Sequence, residues 1–198
     1  MIRLPSIKTK RLLIRPLMRQ DAKALYAIAK DPTIGPMAGW LPHDDISATK
    51  RYIERSLRKE KHGQTLTFAI IHNADNTLIG TLELYNIIPY FKADIGMICA
   101  KAYQNQGYMR EATLAIIIFV FETLKLMRLT YGHFLDNEPS KRLREKLNFS
   151  YEGILRNYYK RYDGKIVDYA ISSFTAEDYH YYFETIFEPF KTTLSITT

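Results

Sequence analysis

Residues 104–126 constrain the fold more than any other stretch of this chain. Polar Gln104-Asn105-Gln106-Gly107 leads to Glu111 and then to a thickly apolar run that ends at Leu126. Local propensity is divided, because Ile116 through Phe121 would suit a strand as well as a helix. Roughly twenty residues without a breaker exceed the usual strand length of about 5–6, so the pattern predicts a buried helix. A polar turn before such a helix is a physical anion trap. The first-turn N–H groups have no intrahelical partner, and the helix dipole is positive there. Gly107 would let phosphate oxygens approach the backbone closely, although a glycine at a helix entrance also serves as a plain turn.

The flanking pattern sets the fold class. Arg11 to Leu17 reads as a strand, and Asp21 as the cap of a helix carrying Ala22, Leu25, Ile28 and Ala29 at helical spacing. A Gly- and Pro-rich loop, Gly35 to Asp45, holds the only tryptophan, Trp40. Asp44 or Asp45 then caps a second helix with a very basic polar face, ending near Lys61. Leu66–His72, Thr77–Ile87 and Ala93–Cys99 read as three antiparallel strands in a row. Beyond the buried helix come a strand, Leu129–Leu135, and a short helix, Asn137–Leu147. Two last strands, Tyr151–Tyr162 and Ile166–Phe174, are joined by the hairpin turn Asp163-Gly164. This interleaving implies an α/β (α+β) domain with a mixed sheet. From His180 the pattern dissolves into an aromatic tail.

Composition excludes several classes. The 198 residues allow one well-cored domain, read here as residues 1–179 with an aromatic-rich tail at 180–198. The tail aromatics Tyr181, Tyr182, Phe183, Phe187 and Phe190 should pack on their own domain or on a sister subunit, as in a homodimer. A lone cysteine cannot form an internal disulfide, and no Cys/His cluster has zinc spacing, so the expectation is a cytoplasmic protein without a metal. His43, His62, His72, His133 and His180 show no ligand spacing and receive no chemistry. The longest apolar run, Ala112–Phe121, is broken by Thr113 and is far shorter than the roughly 20 residues of a membrane helix, so no membrane association is expected. Lys and Arg number 28 against 21 Asp and Glu, a net charge of +7. That excess suits an anionic ligand, a ribosomal surface or simple solubility. No RNA-recognition signature is present, and nucleic acid is not the expected partner.

The stretch IGMICAKAYQNQGYMREATLAIIIFVFE, Ile95 to Glu122, resembles motif A of the GNAT superfamily of acetyl-CoA-dependent N-acetyltransferases. The family turn has the form Gln/Arg-x-x-Gly-x-Gly/Ala. Gln104 and Gly107 match it, and Met109 departs from it. TKRLLIRPLMRQDA, GTLELYNI, NEPSKRLREKLNFSYEGILR and the closing hairpin resemble the RimJ/RimL-like ribosomal-protein branch, over about residues 8 to 178. Asn148 stands where glycine is common.

The resemblance implies a GNAT fold, a mixed and mostly antiparallel sheet flanked by helices, with acetyl-CoA as cosubstrate. Main-chain groups of Met97 and Cys99 would pair with the pantetheine arm as a further strand would, and the amides of Gln104, Asn105, Gln106, Gly107, Tyr108 and Met109 would hold the pyrophosphate. Cys99 as a catalytic thiol is the rival to a small buried residue. Asn137 would contact the coenzyme, and Ser140 would lie near its sulfur and protonate the departing thiolate. Asn137 is equally a sound helix N-cap. Glu83 is the candidate base, against the alternative of an exposed strand carboxylate; Asp94 is a second, structural one. Trp40, Glu83 and Tyr159 are assigned to the acceptor. In part of the branch a glutamate sits near the place of Tyr159. Lys141, Arg142, Arg144 and Lys146 could meet phosphate or a ribosomal surface, or form a solvated helix face.

Direct acetyl transfer needs an unprotonated amine, donors for the oxyanion and a proton for sulfur. An α-amine of pKa about 7.8 costs about 1 kcal/mol to deprotonate at pH 7, against about 4.6 for a lysine-like amine near 10.4. The expected function is therefore acetylation of a primary amine, first a protein N-terminus of the ribosomal-protein type. The alternatives are a small amine, such as a polyamine or an antibiotic, and a noncatalytic coenzyme- or RNA-binding module.

Overall fold

In the computed structural model, which describes residues 4–197, all the strands join one nine-stranded sheet in the order β7-β8-β6-β5-β4-β3-β2-β1-β9. Residues 1–3 and Thr198, the outer ends of the two stretches assigned from sequence, lie outside the described residues. The strands are β1 Ser6–Lys8, β2 Leu12–Pro16, β3 Thr65–His72, β4 Thr77–Ile88, β5 Lys92–Cys99, β6 Arg128–Phe134, β7 Ser150–Lys160, β8 Ile166–Thr175 and β9 Ser195–Thr197. Every pairing is antiparallel except that of β5 with β6. The helices are α1 Ala22–Ala29, α2 Ile46–Lys61, α3 Tyr108–Ile118, α4 Glu138–Lys146, α5 Ala176–Tyr181 and α6 Glu188–Lys191. The mixed α/β class expected from sequence is the one observed.

Strand alternation divides the core between the two faces of the sheet. Leu12, Ile14, Phe68, Leu82 and Leu84 pack on α3, which is buried along nearly its whole length. On the other face Ala69, Ile71 and Leu78 pack on Leu25 of α1 and Ile53 of α2. Asp45 caps α2 by accepting from the Ala48 N–H at 2.8 Å. Asn137 caps α4 by accepting from the Ser140 N–H at 3.1 Å. Helix α4 ends at a left-handed Asn148, φ 58°; asparagine is the side chain that best replaces glycine there, which accounts for the departure from the family pattern.

The structure sharpens the reading of α3 and of the tail. Helix α3 begins at Tyr108, directly after the polar turn read from the sequence, because Asn105 (φ 60°) and Gly107 (φ 80°) hold that turn out of helical geometry. It closes in a wider turn, Phe119–Thr123, where the Leu124 N–H donates to the Phe119 carbonyl five residues back. The tail from His180 is ordered structure: Phe187 is 1% exposed, packs against Tyr179 and Phe174, and leads through α6 to β9, which pairs with β1. The tail thus covers its own core. Among the described residues no helix is long and apolar enough to cross a membrane.

Candidate active site

The one parallel strand pair in the sheet comes apart. Strands β5 and β6 pair from Lys92 with Arg128 to Ile95 with Tyr131 and no further, although β5 stays paired with β4 as far as Cys99. On this last stretch the Ala100 N–H donates to the Ile79 carbonyl at 2.7 Å, and the Ile98 carbonyl points at Gly80 of β4. By alternation the backbone groups of Met97 and Cys99 point the other way, into the gap toward β6. The Gln104 side chain fills part of it, donating from Nε2 to the Cys99 carbonyl at 3.0 Å. Burial pushes the Cys99 thiol up to about 11, so it stays protonated and suits the small-residue reading rather than a catalytic thiol.

Beside the gap lies the turn into α3. Alternating positive φ at Asn105 and Gly107 curls the backbone into a nest, and the N–H groups of Asn105 through Arg110 meet no acceptor among the described residues. The Gln104 N–H is engaged by the Lys101 carbonyl at 3.3 Å. A Cβ at Gly107 would meet only the end of Arg11, so the approach is open from the outside. Met109 turns its side chain onto the core, which explains why a bulky residue is tolerated in the turn. The turn is anchored from behind. Buried Glu111 accepts from the Thr9 hydroxyl and the Arg11 Nε, both at 2.6 Å, and Arg11 in turn donates to the Gln106 carbonyl at 3.0 Å.

A cleft of about 1080 Å³ opens through the sheet at the gap. Glu83 and Tyr85 enter it from the α1/α2 face of β4. Burial raises the Glu83 pKa, opposed by Lys59 and by Thr67 directly across the strand pair. Tyr131 and His133 enter from the other face of β6. The Tyr131 hydroxyl lies 2.7 Å from Ser140 Oγ, and burial pushes it up to about 12, so it holds its proton. His133 is buried, with Nδ1 donating to the Phe134 carbonyl at 2.8 Å and Nε2 without a partner among the described residues.

Trp40 and Tyr159 both line the cleft, Tyr159 sandwiched among Phe134, Tyr169 and the Gly39 backbone. Asn137 lines it too, and its Nδ2 donates to the Met37 carbonyl at 3.0 Å, tying α4 to the loop that carries Trp40. Asp94 stands apart, held by Asn86 at 2.7 Å. The structure therefore brings Glu83, Ser140, Asn137, Trp40, Tyr159 and Met97 to one cleft, with Gln104–Met109 at its edge. Sequence reasoning missed Tyr131 and His133. Their only sequence signal is alternation along one strand just before Asn137, which places them on one face but gives no hint that the neighbouring strand departs. Among the described residues no group of His, Cys, Asp and Glu is arranged to hold a metal ion.

The acetyltransferase (GNAT) domain model matches residues 11–150. A relative from Bacillus licheniformis, named as an uncharacterized N-acetyltransferase p20, is 28% identical over 88% of this chain and 98% of its own. The [ribosomal protein uS5]-alanine N-acetyltransferase of Escherichia coli is 24% identical over 60% of this chain and 62% of its own. Among solved structures, Mycobacterium smegmatis RimJ in complex with CoA-disulfide superposes with a TM-score of 0.75 at 22% identity, covering 89% of this chain and 87% of that one.

Proposed function

Because the chain belongs to the acetyltransferase (GNAT) family and is an acyltransferase that uses acetyl-CoA to acetylate amines, we propose that its acceptor is the α-amine of a protein N-terminus. The observation that carries this reading is the gap between β5 and β6, flanked by an anion nest at one end and by Glu83 at the other. Relatives named for ribosomal-protein acetylation favour a protein acceptor, and among these a ribosomal protein. The buried lone thiol is compatible with a cytoplasmic location.

The backbone groups of Met97 and the N–H of Cys99 fit an amide-bearing arm, with the Cys99 carbonyl already taken by Gln104 Nε2, and the N–H groups from Asn105 to Arg110 fit a pyrophosphate. When bound, acetyl-CoA supplies an activated acetyl thioester. Glu83, whose pKa burial raises while Lys59 and Thr67 pull it back, accepts the proton of an ammonium or of a bridging water. An α-amine asks little of that base, as the costs of about 1 against 4.6 kcal/mol at pH 7 show. On the opposite face Ser140, positioned by the Tyr131 hydroxyl at 2.7 Å, donates to the leaving sulfur. Trp40 and Tyr159 wall the acceptor side and exclude water.

Coenzyme A release with a panel of N-terminal peptides, polyamines and amine antibiotics tests the assignment. Peptide α-amines should be turned over best, and Ser140→Ala should lower kcat while leaving the KM for acetyl-CoA near its original value. Preference for a small amine would favour the alternative acceptor class. Tight coenzyme binding without turnover on any amine would favour a noncatalytic module.

A further inference from the structure

The cleft carries a charge pattern that acetyl transfer itself does not use. Arg51, Arg55 and Lys59 recur every fourth residue along α2, so they form one stripe, and all three line the cleft. None has an ion-pair partner among the described residues, while the carboxylate they flank on the same helix, Glu54, is held by Arg19. Like charges at this spacing weaken a helix by about 0.2–0.5 kcal/mol per pair, so the stripe costs stability where it stands. Glu83 is the only carboxylate among the cleft-lining residues. It lies at the Lys59 end, where Lys59 holds its pKa down against burial. At the other end burial, and after it Arg51, lower the His43 pKa against the pull of Asp44.

We infer that the cleft selects acceptors whose N-terminal amine is followed by acidic side chains. This inference rests on the peptide-acceptor reading above. An amine seated at Glu83 starts beside Lys59, and the eight residues from Lys59 to Arg51 rise about 12 Å along the helix. An extended peptide covers that length in about four residues. Aspartate or glutamate at the second to fourth positions of the acceptor therefore meets the stripe, in a cleft whose low-dielectric walls strengthen the attraction. The same stripe repels a polyamine or an aminoglycoside, whose amino groups all carry positive charge. Arg51 and Arg55 thus act as specificity residues, while Lys59 at the end of the stripe also acts on the charge of Glu83.

The test compares kcat/KM for three peptides that differ only at positions two to four, bearing Asp or Glu, the amides Asn and Gln, or Lys. The full-length enzyme is used, with spermidine as a fourth acceptor. The acidic peptide should exceed the amide peptide about tenfold and the lysine peptide by more, with the difference in KM and shrinking as salt rises. Arg55→Glu, at an exposed position that the fold does not need, should raise KM for the acidic peptide and lower it for the lysine peptide, with the amide peptide the least affected of the three. Equal kcat/KM on the three peptides overturns the acidic preference and leaves the peptide-acceptor reading standing. Preferred turnover of spermidine overturns both.

Discussion

Substituting Glu111 with glutamine tests whether the nest at the start of α3 is held from behind. The carboxylate is 9% exposed and makes three hydrogen bonds: to the Thr9 hydroxyl at 2.6 Å, the Arg11 N–H at 3.0 Å and the Arg11 Nε at 2.6 Å. The replacement amide keeps one carbonyl oxygen for the first two donors but turns an NH2 toward the third. The loss is one hydrogen bond to a charged partner, about 1.5–3 kcal/mol, together with the favourable charge at a helix N-terminus, about 0.3–1 kcal/mol. The Arg11 side chain is 39% exposed and regains water, so a net cost of about 2 kcal/mol is expected. For a chain of this size that lowers Tm by about 4–8 °C. Freed from Glu111, Arg11 also loses its hold on the Gln106 carbonyl, and acetyl-CoA should bind about tenfold more weakly, equivalent to about 1.4 kcal/mol. Thermal unfolding and calorimetric titration read the two effects. A Tm within about 2 °C of the parent, with unchanged coenzyme affinity, would refute the anchoring argument.

Glu83→Gln should separate stability from activity. Burial raises the folded-state pKa of Glu83 above the ordinary 4.5, so the ionised form is disfavoured by folding. Its stabilising contribution is complete below about 4.5 and is lost as pH climbs through the raised value, a loss that a neutral amide escapes. The variant should therefore be the more heat-stable protein at neutral pH, with the advantage vanishing in acid, while acetyl transfer slows and loses its acid limb. A variant whose advantage over the parent is no greater at neutral pH than in acid would sink the argument. Gly80→Ala should disturb the coenzyme strand from its rear: the new Cβ would stand 2.2 Å from the Ile98 carbonyl, and only a shift of β5 relieves it. A loss of about 1–3 kcal/mol in denaturant unfolding is expected, with weaker coenzyme binding. Unchanged affinity would show that the position of β5 is not critical.

What could be read in advance followed from local chemistry. Asp45 and Asn137 cap their helices as their side chains dictate, and Asp163-Gly164 turns the last hairpin. The length of the apolar run identified α3, but its first turn is governed by two backbone angles, at Asn105 and Gly107, of which only the glycine leaves a clear trace in sequence. The tail was illegible for a different reason. Strand β9 exists because Ser195–Thr197 meets Ser6–Lys8 at the opposite end of the chain, and a three-residue strand has too little pattern to announce a partner that remote. The parting of β5 from β6 beyond Ile95 and Tyr131 is likewise set by tertiary packing rather than by local sequence. Nothing in Met97-Ile98-Cys99 or in Gly132-His133-Phe134 records that separation.

The position of the site follows from that one parallel pair. Parallel neighbours require a crossover, and here the crossover is α3, which leaves the end of β5 and returns at the start of β6. Its positive N-terminus is therefore bound to lie at the carboxyl end of β5, which is also where the two strands part. Only a short turn separates Cys99 from Tyr108, so a ligand gripped by the strand has its next few bonds within reach of the nest without any adjustment of the fold. Strand alternation places Tyr131 of β6 against Ser140 on one face while Glu83 of β4 faces the cleft from the other. The proposed proton acceptor and proton donor thus stand on opposite sides of the sheet, with an opening between them, and under that proposal an amine and a leaving sulfur approach the opening from opposite directions. This arrangement ties the direction of transfer to the topology, and it leaves the helix α2 face to decide which amine arrives.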